Sequence, residues 1–418
     1  MPATHPAAAS TQEFDIVYVP LGAQAHGGAE RSLMDLATRF AGQGKRVLIL
    51  VGPELLQTDF PEEAARRGLQ MQPIEWTHHK SSWHNLKAAV STWRRLKTRL
   101  IHFNISWHPD MVSVALCARL FTKARLIGSM RAMPDPHDLI PRRKYLGFIP
   151  GLRLWHLPDL GRGWAWGRIL HRTVTVNLRD FAARLVRDYG YPANRLTAIY
   201  NGIDVRGNVN EEAAAALRER IGATGSQFLV VFVGRLSSEK GAHLLLDATA
   251  PLERVHIAFV GDGPQRAELE ALADQLSMKA RVTFVGYEPH PETWMAAADV
   301  VAVPSTWYEA FGRVVVEAMN EGTPVIASRV GGMAELFEDG VQGRYVAAGS
   351  VPELRAAIET MANDRDGTRR MGALGKALVR ERYSLERVEA DYGRAYTLLL
   401  GENQPRTPVT TATGGGES

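Results

Sequence analysis

The order of apolar runs, glycine turns and helix-like stretches constrains the fold of this chain more than any other feature. Residues 14–20 form an apolar run typical of a strand, and a loop containing Gly27 and Gly28 follows it. Residues 29–42 then carry apolar side chains at helical spacing, and residues 46–51 form a second apolar run. A strand, a glycine loop, a helix and a strand in this order predict a βαβ unit and a parallel sheet.

The same alternation continues along the chain. Further strands are predicted at 100–103, 125–129, 173–176, 196–200, 228–233, 256–260, 282–285, 300–303 and 325–327. Helices are predicted from about residue 242, over 265–276 and over 384–400. Because 418 residues exceed what one hydrophobic core usually supports, the pattern predicts two successive parallel α/β domains.

The domain boundaries are predicted from where the pattern restarts and where it stops. We assign 13–200 to an acceptor-side, Rossmann-like N-terminal domain and 201–383 to a C-terminal nucleotide-sugar-binding domain. The helix at 384–402 is expected to return to the N-terminal domain. Residues 1–12 and the Thr/Gly-rich residues 403–418 are expected to be disordered.

Charge is divided unevenly between the two halves. Residues 1–200 contain 27 Lys and Arg against 15 Asp and Glu, or +12, whereas residues 201–418 contain 22 against 30, or −8, which together give the net +4. Seven of the nine tryptophans also fall in the first half. A basic, Trp-rich half and an acidic half suggest domains with different partners, although solvated surface and core aromatics explain the pattern equally well.

Cysteine usage and hydropathy bear on localisation. Cys117 is the only cysteine, so no intramolecular disulfide can form, which fits a reducing compartment. The Ala/Pro/Thr-rich start lacks the basic and apolar regions of a signal peptide, and no window of about 18 uncharged apolar residues occurs. We therefore expect a cytoplasmic protein, peripheral at most on the inner face of the cytoplasmic membrane.

The most informative chemical motif is a pair of glutamates, Glu309 and Glu317, on either side of Gly312. Gly312 permits close backbone approach, and a helix after it would offer free amide groups to an anion. Two carboxylates also suggest a glycosidase. Eight residues of helix span roughly 12 Å, however, and hydrolase carboxyl pairs need about 5–9.5 Å. The two glutamates are instead predicted to bind hydroxyl groups at two ends of one ligand.

A basic pair, Arg235 and Lys240, follows the predicted strand at 228–233. A guanidinium and an ammonium at the carboxyl end of a parallel strand suit a diphosphate. Open parallel sheets bind ligands at that edge. The Gly27–Gly28 loop is a second candidate for phosphate or acceptor binding, with a plain tight turn as its alternative.

Other nucleotide and metal motifs are missing from the sequence. No G-x-G-x-x-G motif follows either first strand, and no P-loop is present, which disfavours nicotinamide, flavin and P-loop enzymes. The thirteen histidines show no convincing metal-ligand spacing. We therefore expect no metal and no cofactor.

Several sequence motifs of this chain resemble those of the family-four retaining glycosyltransferases, which have the GT-B fold. The resemblance covers nearly the whole chain and implies two Rossmann-like, doubly wound parallel-sheet domains that face each other across a cleft. The matching segments are VGRLSSEKG at 233–241, FVGDGP at 259–264, YEAFGR at 308–313, GTPVIA at 322–327 and GGMAE at 331–335.

The resemblance implies a role for each matching residue around the reacting group. Arg235 and Lys240 would counter the charge that develops on the leaving nucleotide diphosphate. Glu309 resembles the first Glu of the E-x7-E motif, which contacts hydroxyl groups of the donor sugar. Glu317 resembles the second, which holds the ribose hydroxyl groups.

The resemblance also implies that further residues bind the donor. Phe311, Gly312 and Arg313 would offer backbone amides to the sugar and phosphate. Gly261 and Gly263 would lie beside the nucleoside, Tyr287 near the base, and Gly27 and Gly28 in the loop of the other domain. The family transfers with retention of configuration and without a metal, by a front-face mechanism in which a donor phosphate oxygen helps deprotonate the acceptor.

Two positions depart from the family pattern. Members often carry histidines at the ends of two N-domain strands, where this chain has Asn104 and Arg131. Arg131 would be a permanent cation rather than a titrating group. We therefore hypothesise that it contacts the donor phosphate or an anionic acceptor.

The acceptor is expected on the basic half. Residues 142–166 interleave Arg and Lys with Trp, Phe and Leu, a pattern typical of segments that contact an anionic membrane surface. This predicts a glycan or lipid-linked acceptor of cell-surface polysaccharide or lipopolysaccharide synthesis, with an ordinary loop of a soluble enzyme as the alternative. No nucleic-acid-binding module accompanies the basic face, so no nucleic-acid partner is expected.

Other functions on the same fold stay open. A nucleotide-sugar epimerase would share the donor site, although the E-x7-E pattern favours transfer. A glycan phosphorylase would need a pyridoxal-phosphate lysine and a longer chain. A non-catalytic nucleotide-sugar-binding subunit is disfavoured because Arg235, Lys240, Glu309 and Glu317 are all present. The leading prediction is a retaining glycosyltransferase that uses a UDP-sugar in preference to a GDP-sugar.

Overall fold

A computed structural model describes residues 13–20, 28–76, 82–105, 109–131, 164–175, 180–205 and 210–402. Within them the chain forms two parallel sheets, each with helices on both faces. The predicted fold class, two Rossmann-like doubly wound α/β domains, is confirmed.

The first sheet has seven strands in the order β3-β2-β1-β4-β5-β6-β7. The strands are β1 (Glu13–Pro20), β2 (Val47–Val51), β3 (Gln70–Pro73), β4 (Lys97–Asn104), β5 (Arg125–Met130), β6 (Arg172–Thr175) and β7 (Leu196–Ala198). The helices around it are α1 (Gly28–Gly42), α2 (Phe60–Arg66), α3 (Ser82–Arg95), α4 (Pro109–Phe121), α5 (164–169) and α6 (Asp180–Tyr189). The central strands are apolar because both faces of the sheet are covered.

The second sheet has six strands in the order β10-β9-β8-β11-β12-β13. The strands are β8 (Phe228–Val233), β9 (Val255–Val260), β10 (Val282–Gly286), β11 (Val300–Val303), β12 (Val325–Ser328) and β13 (Gly343–Val346). The helices are α7 (Glu211–Arg220), α8 (Ala242–Thr249), α9 (Arg266–Gln275), α10 (Glu292–Ala297), α11 (Arg313–Asn320), α12 (Val351–Asn363) and α13 (Arg365–Arg382).

Two chain segments cross between the domains side by side. The Ile203 amide donates a hydrogen bond to the Tyr383 carbonyl at 2.9 Å. The Ile203 carbonyl accepts one from the Leu385 amide at 3.0 Å. The last helix, α14 (Leu385–Leu400), begins there, where the Ser384 hydroxyl accepts from the Arg387 amide. It then packs against α1, and Tyr392 and Tyr396 join the core of the first domain.

The order of each sheet determines where a ligand can lie. In the first sheet the direction of winding reverses between β1 and β4, and in the second between β8 and β11. Open α/β sheets bind ligands just beyond the carboxyl ends of the strands at such a reversal. The loop after β8 contains Arg235 and Lys240, and the loop after β11 contains Glu309. The topology therefore brings these motifs to one point.

Candidate active site

The loops at the carboxyl edge of the second sheet pack on one another through their backbones. Gly261 follows β9 with a φ of +140°, and an added Cβ there would lie 1.9 Å from the carbonyl oxygen of Gly234. An added Cβ on Gly263 would lie 2.4 Å from the carbonyl oxygen of Leu236. Only glycine permits such an approach, so the loops after β8 and β9 are held as one unit.

Lys240 and Glu309 are in direct contact at this edge. The Lys240 ammonium donates to Oε1 of Glu309, and the Ser305 hydroxyl donates to the same oxygen at 3.0 Å. The Lys240 side chain is 35% exposed and that of Glu309 20%. This contact joins the loops after the two central strands, β8 and β11, and leaves both charged groups open to solvent.

Arg235 is the exposed member of the basic pair. Its side chain makes no hydrogen bond or ion pair with any residue that the structure describes. Nearby, the Ser237 hydroxyl donates to Glu239 at 2.6 Å, and this bond lowers the pKa of the Glu239 carboxyl. Glu239 is therefore an anion held by its own loop, and the Arg235 guanidinium is available to an anionic ligand.

Glu309 lies in a loop and not on a helix. Gly312, with a φ of +86°, is the residue before α11, which begins at Arg313. The helical rise used in the sequence prediction therefore does not measure the separation of Glu309 and Glu317, because only the second lies on the helix. The Glu309 carbonyl accepts from the amide of Gly332 at 2.8 Å, which fixes this loop against the one after β12.

An ionic chain connects the start of α11 with the first domain. The Nε–H of Arg313 donates a hydrogen bond to Oε1 of Glu317 at 2.6 Å. Nη1 of Arg313 forms an ion pair with Oδ2 of Asp35 on α1, at 3.9 Å. Asp35 also accepts from Nη1 of Arg67 at 2.7 Å. Sequence reasoning missed Asp35, and no local signal marks it, because its role depends on how the two domains meet.

The remaining predicted residues of the second domain differ in exposure. Phe311 is buried, and its ring packs against Tyr200 and Tyr383, so the side chain joins the two crossing segments to the site. Tyr287 follows β10 and is 75% exposed. Its ring is thus free to lie against a planar group at the rim of the same edge.

The predicted residues of the first domain lie at its own carboxyl edge. Asn104 ends β4 and is buried, and Gly28 begins α1, whereas Gly27 lies outside the described residues. Arg131 follows β5 and donates to Oδ1 of Asn201 in the crossing segment. Among the described residues, neither Asn104 nor Arg131 forms a hydrogen bond or ion pair with Arg235, Lys240 or Glu309.

Beneath Arg131 lies a buried polar network that sequence reasoning missed. The two ring nitrogens of His102 form hydrogen bonds, Nδ1 with the Tyr396 hydroxyl at 2.6 Å and Nε2 with the Ser129 hydroxyl at 2.5 Å. Tyr18 bonds Tyr396 at 3.2 Å. Burial, and then the charge of Arg131, lowers the pKa of His102 to about 3. The imidazole is therefore neutral, and the network connects β1, β4 and β5 to α14.

The described residues lack both a metal-binding cluster and a membrane-spanning helix. They contain no group of three or more His, Cys, Asp or Glu side chains that could hold a metal ion. None of the helices they form is long and apolar enough to span a bilayer. Of the stretch at 142–166, only residues 164–166 fall within the described part, so its predicted membrane contact stays a prediction.

Comparison with known families matches both halves of the chain. Residues 26–206 match the family model described as Glycosyltransferase Family 4, and residues 214–377 match the model described as Glycosyl transferases group 1. The two matches together leave only the termini and a short internal segment uncovered.

Individual relatives share about a third of their residues with this chain over part of its length. The chain is 31% identical over 252 residues to the alpha-D-kanosaminyltransferase of Streptomyces kanamyceticus, spanning 58% of this chain and 65% of that one. It is 35% identical over 213 residues to the D-inositol 3-phosphate glycosyltransferase of Nocardia farcinica, spanning 48% and 47%. The chain thus spans about half to just under two thirds of these relatives.

A solved structure covers more of the chain at lower identity. HepE from Anabaena, crystallised in complex with UDP, aligns over 92% of this chain and 100% of its own with a TM-score of 0.79 and 24% identity. At that identity the likeness supports the fold alone.

Proposed function

This chain belongs to the family-four glycosyltransferases, and we propose that it transfers a sugar from a UDP-sugar to a glycan or lipid-linked acceptor. The observation that carries the proposal is the contact between Lys240 and Glu309 at the reversal point of the second sheet, with Arg235 in the same loop as Lys240. In a nucleotide sugar the transferred sugar is bonded directly to the second phosphate. A phosphate-binding cation and a hydroxyl-binding carboxylate must therefore be neighbours, as Lys240 and Glu309 are.

The charges suit the step in which the bond to the diphosphate breaks. Negative charge then develops on the departing phosphate, and preorganised cations stabilise it more strongly than they stabilise the bound donor. Arg235 supplies an exposed guanidinium that forms no hydrogen bond or ion pair within the described structure, and Lys240 supplies an ammonium. We assign the diphosphate to these two residues and the sugar hydroxyl groups to Glu309.

We assign the nucleoside to the other side of the edge. Glu317 would accept hydrogen bonds from the ribose hydroxyl groups, with Arg313 orienting its carboxylate. Gly261 and Gly263 leave room beside the nucleoside, and Tyr287 would lie near the base. UDP is preferred over GDP on family habit, and the related HepE binds UDP.

The acceptor would enter from the first domain. Asn104 lies at the reversal point of that sheet, at the end of β4, and Arg131 follows the neighbouring strand β5. We propose that Arg131 contacts the donor phosphate or an anionic acceptor. Retention of configuration, independence of metal and a front-face mechanism are proposed on family resemblance. We further propose a cytoplasmic enzyme of cell-surface polysaccharide or lipopolysaccharide synthesis that works at the inner membrane surface.

The reaction is tested by a donor screen. UDP-, GDP- and ADP-sugars are incubated with the protein and candidate acceptors, and nucleotide release is measured with and without a metal chelator. The proposal expects acceptor-stimulated UDP release that survives chelation. Release of no nucleotide from any donor would contradict it, and interconversion of sugars without release would indicate an epimerase.

A further inference from the structure

A cavity lies beside the two crossing segments, where the edge of the first sheet meets the end of α13 and α14. Its volume is about 600 Å³, and its lining comes from Arg172, from 197–200, from 381–382 and from α14. Ligand pockets commonly measure about 300–1,000 Å³, so the space suits a small molecule. We call it the α13–α14 cavity. None of the residues assigned above to donor or acceptor binding lines it.

Positive charge predominates in the lining of the α13–α14 cavity. Four arginines reach it from three different elements, β6, α13 and α14. They are Arg172, Arg382, Arg387 and Arg394. Two acids, Glu381 and Asp391, also line it, so four positive and two negative groups leave a net charge of +2. The lining therefore favours an anionic ligand over a neutral or cationic one.

Arg172, the first residue of β6, is the least compensated of the four. Its Nη1 donates to the Thr197 hydroxyl at 2.5 Å, whereas its Nε is buried and has no hydrogen-bond partner among the described residues. No carboxylate of the described part forms an ion pair with it. Buried polar groups are nearly always hydrogen-bonded, and buried charges are normally paired. An anion in the cavity would balance a charge that the protein itself leaves unpaired.

The other three guanidinium groups also have donors to spare. Arg382 lies over the Tyr200 ring at 5.5 Å and forms no hydrogen bond or ion pair with any residue that the structure describes. Arg387 and Arg394 both pair with one carboxylate, that of Asp391. Since each guanidinium carries five N–H donors, a single shared carboxylate leaves most of them available to a ligand.

The cavity offers apolar surface as well as charge. Tyr200 is half-buried, and its ring packs against that of Phe311 at 6.3 Å, which holds it in place. Leu398, near the end of α14, lines the same cavity and is 63% exposed. An inorganic anion would use the guanidinium groups alone, whereas an anion with a carbon skeleton would use the charged and the apolar lining together.

We propose that the α13–α14 cavity binds a small phosphate monoester. Guanidinium groups match the oxygens of a phosphate in bidentate geometry, and the carbon skeleton would lie against Tyr200 and Leu398. A phosphate monoester carries about −1.5 to −2 charges at pH 7, which balances the surplus of +2 in the lining. A monocarboxylate would balance only half of it.

Such a ligand would connect the two domains. Arg382 ends α13 of the second domain, whereas Arg172 and Arg394 belong to β6 and α14, which pack in the first. A molecule that binds only the folded chain stabilises it by mass action, so the ligand should raise the melting temperature. The inference does not rest on the proposed transfer reaction, because binding is measured without a donor or an acceptor.

The test is calorimetric titration of the full chain with phenyl phosphate, inorganic phosphate and benzoate at about 0.15 M salt. Arg394→Gln is compared with Arg369→Gln, a matched substitution, because each arginine pairs with an acid three residues before it and Arg369 lies outside the cavity. Thermal unfolding verifies that both variants fold. We expect phenyl phosphate to bind most tightly of the three and to raise the melting temperature. Its affinity should be about tenfold weaker for Arg394→Gln and within about twofold of wild type for Arg369→Gln.

The proposal fails on any of three results. Wild-type protein could leave phenyl phosphate unbound, or bind it no more tightly than inorganic phosphate or benzoate, which would refute the ligand class. Arg394→Gln and Arg369→Gln could bind equally, which would place any anion site outside the cavity. Arg235→Ala could lose phenyl phosphate binding while Arg394→Gln keeps it, which would assign the ligand to the donor site.

Discussion

Lys240 and Glu309 lie 69 positions apart in sequence, yet their side chains form an ion pair where the loops after β8 and β11 meet. Both groups are partly exposed, and such pairs add only about 0–1 kcal/mol to the free energy of folding. The contact therefore contributes little to stability. The ion pair instead positions two groups, because it holds a cation beside a carboxylate at the edge where a nucleotide sugar is proposed to bind.

Replacing Lys240 by alanine should separate activity from stability. We expect kcat/KM with the preferred donor to fall about 100- to 1,000-fold, because a charge that stabilises the transition state is lost. The melting temperature should stay within a few degrees, because the ion pair is partly exposed. Lys279→Ala is the control, since Lys279 is 84% exposed on another edge of the domain. Equal activity of the two variants would remove Lys240 from the site.

Replacing Asp35 by asparagine tests the ionic chain between the domains. The Asp35 side chain is only 13% exposed and bonds Arg67, with Arg313 at 3.9 Å. We expect a loss of about 1–2 kcal/mol in the free energy of unfolding and a donor KM raised several-fold, because Arg313 and Glu317 lose their partner on α1. Chemical denaturation and donor titration measure these effects. Asp274→Asn, at a 54% exposed surface pair, should change neither.

Replacing Gly261 by alanine should damage the donor edge. The new Cβ would lie 1.9 Å from the Gly234 carbonyl oxygen, so the loops after β8 and β9 must separate. We expect a loss of about 3 kcal/mol or more in stability and at least tenfold weaker UDP binding. Gly349→Ala also has a positive φ, +77°, but meets no atom within 4 Å, and should cost only about 1 kcal/mol. Unfolding curves and UDP titrations that match for both variants would contradict this packing.

The strands at the centres of both sheets could be predicted from sequence, whereas of the four edge strands β7 and β10 were predicted and β3 and β13 were not. β8 and β11 were predicted with the bounds they have, because a strand covered on both faces is uniformly apolar. β3 (Gln70–Pro73) and β13 (Gly343–Val346) were missed because edge strands are shorter and more polar. The strand predicted to reach Tyr200 ends at Ala198.

Some residues of the candidate site could likewise be predicted from sequence, and others could not. Arg235 and Lys240 lie in the loop after β8 and Glu309 in the loop after β11, so parallel topology alone predicts that they lie at one edge of the sheet. Asp35 and His102 could not be predicted, since their partners lie on elements distant in sequence. The assumption that Glu309 and Glu317 share a helix was wrong because Gly312 adopts a positive φ and delays the helix start to Arg313.

The buried His102 should make stability depend on acid pH. Its pKa in the folded chain is about 3 against about 6.5 unfolded, so below pH 6.5 the unfolded state binds a proton that the native state does not. Stability should fall by about 1.4 kcal/mol per pH unit from about pH 6.5 towards pH 3. Denaturation of His102→Gln across this range should show a shallower slope than that of the wild-type chain.

A part of that slope should remain in His102→Gln. Burial also lowers the pKa of His171, to about 4, and of His256, so both act in the same direction. A His102→Gln slope identical to wild type would show that His102 titrates in the folded chain.

The proposed donor site is tested most directly by calorimetric titration of UDP into the wild-type chain and into Arg235→Ala. We expect the wild-type chain to bind one UDP in preference to GDP, and Arg235→Ala to bind it at least tenfold more weakly, because the exposed guanidinium is assigned to the diphosphate. Wild-type protein that binds neither UDP nor GDP, or Arg235→Ala that binds UDP as tightly as wild type, would contradict the proposed site.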